Sequence, residues 1–548
     1  MYRRWFFASL LGLAAMAAAA TAWWPGGDAR RLNVILLTVE STRADMVRPD
    51  TAPNLLRAAE SGLHFRNHRA VSAWTAPNAV SLLTGLDAFA LGIHAAGDSL
   101  PRIALPPVDG KAAEDPPLRK LSERGWRVAG LQAFMLIDQF NNTGLTVESG
   151  GEFLPWLAGR VVDRKPFFLW HHYLETHLPY GPAPEFMPDW RALLPPGDTA
   201  ARQRIETIMR QPAVPAGSVA FKPTDRDAVV AVHEATLRQF DAWFGRFWDF
   251  FQASGLRDTT ILVVTADHGE EHLERGDVGH ASTTHRGHLY EEIVRLPLFV
   301  WLPPDEKRLE RGLRSIQAPT HHSDVMPSIM AWLEQRRSAP LTRLAEKPWQ
   351  AITSLAGFAE PDPLHVREFV AARLEAGWKL HRRYRDEKPV ENRLYHLATD
   401  PGETTDRAAE RPDLVEKLAK PLDAAFANRR QVRREAEAAA LSGNAAAPAW
   451  IFPAGNRAVR FADIRDGITL RWSGDPAARY VIEYQAGEGG ALRLQGRLEA
   501  QGLEKAFGRI DATYWRDYVL PYGRLRMRVG LPGRDDAWSE WVEVRALP

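Results

Sequence analysis

Two acids, a histidine and a hydroxyl stand where a parallel α/β protein concentrates its reactivity. Glu40 directly follows an apolar run over residues 33–39, and Asp267 and His268 come just after a second run, 259–265. In an open α/β sheet, reactive groups gather beyond the carboxyl ends of the strands. Carboxylate oxygens and an imidazole from two strand ends can surround one divalent cation. The plain alternative is that Glu40 and Asp267 cap the helices that follow. Thr75 sits in Trp74-Thr75-Ala76-Pro77-Asn78. A helix starting just after Pro77 aims free N–H groups and a positive dipole end at Thr75. That setting favours an anionic ester. A neighbouring cation can lower the hydroxyl pKa enough to make it a nucleophile; otherwise Thr75 is an N-cap.

The elements that must position these groups are short, continuous apolar runs. Residues 33–39, 166–170, 259–265 and 296–301 read as strands buried on both faces. A helical pattern from about residue 227 carries Val230, His233, Leu237, Phe240, Phe244 and Phe247 on one side. The alternation predicts an α/β fold, a mostly parallel sheet with helices on both faces, over residues 31–430. Charged and alanine-rich sequence over 412–447 predicts exposed helix and then a linker, residues 431–448. From 449 to 548 the pattern changes to short alternating segments, 468–472, 480–484 and 525–529, with a turn at 473–476. That predicts an all-β sandwich. Trp472, Tyr480 and the closing Trp538-Ser539-Glu540-Trp541 resemble a fibronectin type III module.

Composition narrows the chemistry. Among 548 residues there is no cysteine, which excludes disulfides, thiolate metal sites and cysteine nucleophiles. The formal net charge of +1 offers no global field for nucleic acid, so no nucleic-acid partner is expected. Arg3 and Arg4 precede an apolar run, residues 5–24, that ends in small residues. Residues 1–24 therefore read as a signal peptide or an uncleaved membrane anchor. The expected location is exported: periplasmic, or tethered to the membrane and facing outwards.

In order and spacing the pieces resemble the alkaline phosphatase/sulfatase superfamily in its sulfatase branch, over roughly residues 32–425. NVILLTVESTRAD (33–45) resembles the opening strand and acidic metal turn. The segment 51–85, ending WTAPNAVSLLTG, resembles the approach to the nucleophile helix. HHYLETHLPYGP (171–182) resembles the His-x-Pro-Tyr turn, and TADHGE (265–270) the second metal turn. Residues 285–301 resemble the strand that brings in a substrate-facing base, and 378–380 with 394–406 the C-terminal subdomain. The resemblance implies that Glu40, Thr75, Asp267 and His268 hold one divalent metal ion, with Thr75 also the nucleophile. It implies that His177 and His285 meet the anionic oxygens or protonate the leaving group. His280 and His288 compete with His285, which is chosen for its offset from Tyr290. Asn78 and Arg286 are implied as anion contacts, although a first-turn cap serves equally for Asn78.

The departures are as informative as the matches. Sulfatases oxidise a Cys or Ser in Cys/Ser-x-Pro-x-Arg to an aldehyde. Here the pattern reads Thr75-Ala76-Pro77-Asn78-Ala79, and threonine's secondary alcohol would give a ketone. The paired acids after the first strand are reduced to Glu40-Ser41. The remaining Glu, Thr, Asp, His set resembles lipoteichoic-acid synthases and phosphoethanolamine transferases. That resemblance implies a metal-dependent phosphoester transferase or hydrolase acting on an envelope phospholipid or glycan ester. Two alternatives are a sulfatase working without formylglycine and a non-catalytic glycan-binding protein. Carboxylate plus imidazole suits zinc or manganese, with calcium and magnesium as the other choices.

Overall fold

The computed structural model describes residues 32–87, 116–131, 145–147, 152–163, 165–211, 214, 218–280, 288–304, 314–335, 348–355, 368–386, 388–441, 447–453, 455, 457–465, 467–475, 478–488, 491–507, 523–531 and 537–547. The N-terminal apolar run, His285 and Arg286 lie outside the described residues. Among those described, no helix is long and apolar enough to cross a membrane.

The first ten strands are β1 (Asn33–Val39), β2 (Leu63–Arg69), β3 (Arg127–Leu131), β4 (Thr146–Val147), β5 (Phe167–Tyr173), β6 (Thr260–Ala266), the small hairpin β7 (Glu271–His272) and β8 (Val278–Gly279), β9 (Arg295–Trp301) and β10 (Arg314–His321). All but the hairpin form one eight-stranded sheet in the order β10-β2-β9-β6-β1-β5-β3-β4. Pairing is parallel except where β9 lies antiparallel between β2 and β6. β1 sits between β5 and β6, parallel to both, with Val39 level with Tyr173 and Ala266. Three strands thus end side by side at one level, which is why groups far apart in sequence meet there.

β1 is buried throughout, and its side chains alternate between two cores. Val34 and Leu36 face the layer containing helix α1 (Thr75–Thr84). Ile35, Leu37 and Val39 face the layer containing helix α2 (Arg226–Ala253). Helix α2 supplies Phe240, Phe244, Phe247 and Phe251, all fully buried. Each such side chain contributes about 1.5–3 kcal/mol relative to exposure. Helix α3 (His322–Gln335) packs on α1 so tightly that a Cβ on Gly85 would meet the Pro327 ring at 2.6 Å. Gly85, at φ +75°, also closes α1 in the left-handed conformation that glycine adopts freely.

A second, four-stranded antiparallel sheet follows: β11 (Trp349–Ser354), β12 (Glu368–Glu375), β13 (Trp378–Arg385) and β14 (Lys388–His396). Helix α4 (Pro412–Leu441) covers it and continues into the stretch read from sequence as linker. A largely buried chain of charges fastens this sheet to the eight-stranded one. Arg69 grips Glu291 at 3.1 and 2.8 Å. Lys379, fully buried, lies 2.9 Å from Glu291 and 3.1 Å from Glu403. His381 holds Glu403 at 2.8 Å. Beyond residue 447 come a three-stranded and a five-stranded sheet that enclose a separate core of Leu470, Trp472, Tyr480, Ile482, Met527 and Val529. An all-β C-terminal region is therefore present, as the sequence pattern implied.

Candidate metal and nucleophile site

Four side chains converge at the ends of β1 and β6 and the start of α1. Thr75 Oγ1 lies 3.2 Å from Glu40 Oε1 and 3.2 Å from His268 Nε2. His268 Nε2 lies 3.2 Å from Glu40 Oε1 and 3.2 Å from Asp267 Oδ2. Donors bound tetrahedrally to a cation at about 2.0–2.1 Å stand roughly 3.3 Å apart, so these spacings fit a shared ion. Two further observations agree. Asp267 Oδ2 is a buried carboxylate oxygen that accepts no hydrogen bond while His268 Nε2 is unprotonated, a costly state that a cation relieves. His268 Nδ1 faces the Gly269 carbonyl at 2.9 Å. A carbonyl only accepts, so Nδ1 carries the proton and Nε2 is left as a ligand atom.

Electrostatics point the same way. Burial raises the pKa of both carboxyls. Hydrogen bonds and charge from His172 and His268 reverse this for Glu40, which is held well below the usual range. Asp267 stays raised by burial and by the charge of Glu40. Burial opposes a charged His268, but Asp267 and Glu40 outweigh it and push the imidazole up to about 10. Two buried acids so close together demand positive charge, and a divalent ion supplies it with His268 neutral.

Local backbone prepares these positions. Ser41 adopts φ +54°, uncommon for a residue with a side chain, and its N–H reaches Asp267 Oδ1 at 3.0 Å. Gly269 is required where it stands, since a Cβ there would lie 2.0 Å from the Glu292 carbonyl oxygen. The Gly269 and Glu270 N–H groups donate to the carbonyls of Ile293 and Glu292 at 2.6 and 3.2 Å. The turn over residues 267–270 is thereby joined to the strand entry that carries Glu291.

The structure gathers Glu40, Thr75, Asp267 and His268 as the sequence implied. His177 is half-buried, its Nδ1 against the Leu178 carbonyl and its ring centroid 5.2 Å from that of His280. Asn78 needs correction as an anion contact. Its Oδ1 accepts from the Val71 and Ser72 N–H groups at 2.9 and 3.1 Å. Its Nδ2 donates to the Ser72 and Trp74 carbonyls at 2.8 and 2.9 Å. The amide is spent on shaping the loop that presents Thr75. Of the competitors to His285, His280 lies beside the site, its ring 4.0 Å from His268. Its Nδ1 is 3.2 Å from Glu270, and both residues are buried. His288 instead bonds Glu271 at 2.9 Å on the outer hairpin.

Sequence reasoning passed over His172. Trp170 Nε1 donates to Thr38 Oγ1 at 3.0 Å, and Thr38 Oγ1 is 2.7 Å from His172 Nδ1. His172 Nε2 is 2.6 Å from Glu40 Oε2. An indole only donates, so the chain runs Trp170 to Thr38 to His172 to Glu40, and a neutral imidazole completes it. The available signal was the His171-His172 pair near the end of a strand adjacent to that of Glu40. Glu40 Oε2 is thus occupied, leaving Oε1 for the cation. The groupings Glu40–His268–His280 and Glu40–His172–Asp267 each bring three donor atoms within 4.8 Å of one another, with Glu40 common to both.

The chain is similar to several known proteins. Residues 145–335 match the family model described as Sulfatase. The multifunctional alkaline phosphatase superfamily protein PehA of Trinickia caryophylli is 24% identical over 397 residues, spanning 55% of this chain and 74% of that protein. The phosphonate monoester hydrolase of Agrobacterium radiobacter superposes with a TM-score of 0.52 at 16% identity, covering 73% of this chain and 96% of its own. A protein solved with its substrate D-glucosamine-2-N,6-O-disulfate gives a TM-score of 0.53 at 16% identity, covering 73% of this chain and 98% of its own.

Proposed function

We propose that this chain, a sulfatase-family hydrolase of the alkaline phosphatase superfamily, transfers or hydrolyses phosphoesters through Thr75 with one divalent metal ion. The observation that carries the reading is the position of Thr75 Oγ1, 3.2 Å from both Glu40 Oε1 and His268 Nε2 at the first residue of α1. A zinc or manganese ion held by Glu40, Thr75, Asp267 and His268 would lower the hydroxyl pKa and balance the charge that develops on the ester. Thr75 then gives its proton to water, and Oγ1 bonds to phosphorus as the ester O–P bond breaks. His177 and His280 are the pair suited to exchanging a proton with the departing and incoming oxygens, Glu270 holding the His280 ring. With Nδ1 against a carbonyl, His177 presents Nε2 for this exchange. Water or an acceptor hydroxyl then attacks phosphorus and releases Thr75.

Threonine favours phosphorus over sulfur, because a sulfated threonine has no hemiacetal route for release. An envelope lipid or glycan as substrate rests on the N-terminal apolar run and on the resemblance of the Glu, Thr, Asp, His set. The Sulfatase family match and the disulfated-sugar complex among the structural neighbours keep sulfate esters as a second reading. The test is turnover of bis(p-nitrophenyl) phosphate, p-nitrophenyl phosphate and p-nitrophenyl sulfate by manganese- or zinc-loaded protein. The expected result is a phosphoester kcat/KM at least roughly 100-fold above that for sulfate, about 2.7 kcal/mol in the barrier. A sulfate ester turned over faster would replace this reading with the second.

A further inference from the structure

Helix α3 begins at His322, which is fully buried. Its Nδ1 lies 3.2 Å from Asn78 Oδ1 and its Nε2 3.1 Å from the Ala266 carbonyl oxygen. These contacts belong to opposite halves of the site. Asn78 shapes the loop that presents Thr75, whereas the Ala266 carbonyl belongs to the peptide group leading into Asp267. One imidazole therefore touches both the nucleophile's support and the metal turn's support. Asn78 Oδ1 already accepts two backbone N–H groups. A neutral imidazole has one N–H, which goes to the Ala266 carbonyl. Nδ1 is then held against a second acceptor with no bond gained, at the point where α3 packs on α1 through Pro327 and Gly85.

We propose that His322 is a positioning residue whose imidazole sets the separation of Thr75 from Asp267. This deepens the function proposed above and rests on its metal site. The test compares wild type with His322→Leu and with His322→Gln, whose amide can still donate to the Ala266 carbonyl. The measurements are Mn2+ affinity of metal-stripped protein, the rise in Tm on adding Mn2+, and kcat and KM for bis(p-nitrophenyl) phosphate. His322→Leu should weaken Mn2+ binding roughly 10- to 100-fold, as loss of a ligand's support does. It should lower kcat roughly 100-fold with KM changed less than about threefold. The metal-free Tm should stay near wild type, and His322→Gln should restore both affinity and kcat. A His322→Leu protein with wild-type affinity and kcat overturns the proposal, as does a His322→Gln protein impaired equally. Should His322→Leu not fold, His322→Asn, whose shorter amide cannot reach Ala266, takes its place with the same expectation, and wild-type Mn2+ affinity in it overturns the proposal. If wild type turns over no ester, the proposed function fails, and the Mn2+ arm alone decides the role of His322.

Discussion

At the residue scale, the site depends on groups that orient other groups. His172 holds Glu40 Oε2 at 2.6 Å, so the other oxygen, Oε1, faces Thr75. Replacing His172 with Phe should weaken metal binding roughly 10- to 100-fold. Titration of metal-stripped protein checks this, and unchanged affinity would remove His172 from the account. Ser41 is a different case, because its cost is conformational. At φ +54° a β-branched side chain is strained while glycine is not. Ser41→Val should destabilise by about 1–3 kcal/mol and Ser41→Gly by well under that. Equal melting temperatures for the two variants would count against strain there. Glu40, Thr75, Asp267 and His268 were legible in the sequence because each follows a strand or opens a helix, and the family resemblance implied roles for them. His172 and His280 were not selected, since whether a histidine faces the site depends on strand register and hairpin path. Asn78 was misread because its bonds are to a loop whose shape no spacing reveals.

At the scale of elements, the level ends of β5, β1 and β6 bring the site residues together, and the second sheet braces the turn over residues 267–270. Residues 33–39 and 259–265 were recognisable as buried strands because they are continuously apolar. The buried charge chain was invisible, since Arg69, Glu291, Lys379, His381 and Glu403 meet only through tertiary packing. Burial raises the Glu291 and Glu403 carboxyls; Arg69 and Lys379 for Glu291, and Lys379 and His381 for Glu403, outweigh this and hold both below the usual range. A depressed carboxyl contributes stability that is complete above its unfolded pKa, about 4.3, and is lost as pH falls through the folded value. The melting temperature should therefore fall on acidification below about pH 4.3 as these groups protonate. Lys379→Met leaves two buried carboxylates short of a cation and should cost about 3–5 kcal/mol at neutral pH. Both carboxyls should then shift upward, so mild acidification should recover part of the loss. A Lys379→Met melting temperature that only declines with falling pH would contradict this reading of the chain.

At the scale of the whole molecule, the C-terminal β region has its own core around Trp472 and Tyr480, separate from the clusters on the two faces of the eight-stranded sheet. Its sequence pattern announced sheets but not their partner or task. A chain ending at Ala447 should keep the main thermal transition and its kcat/KM for small soluble esters. Loss of either would show that the two regions support one another. The central claim concerns Thr75, and intact-mass analysis after incubation with a zwitterionic phospholipid tests it most directly. The account predicts an added phospho-head-group mass on the wild type and none on Thr75→Ala, which should be folded and without turnover. An adduct of the same mass on Thr75→Ala, or wild-type turnover by that variant, would contradict it.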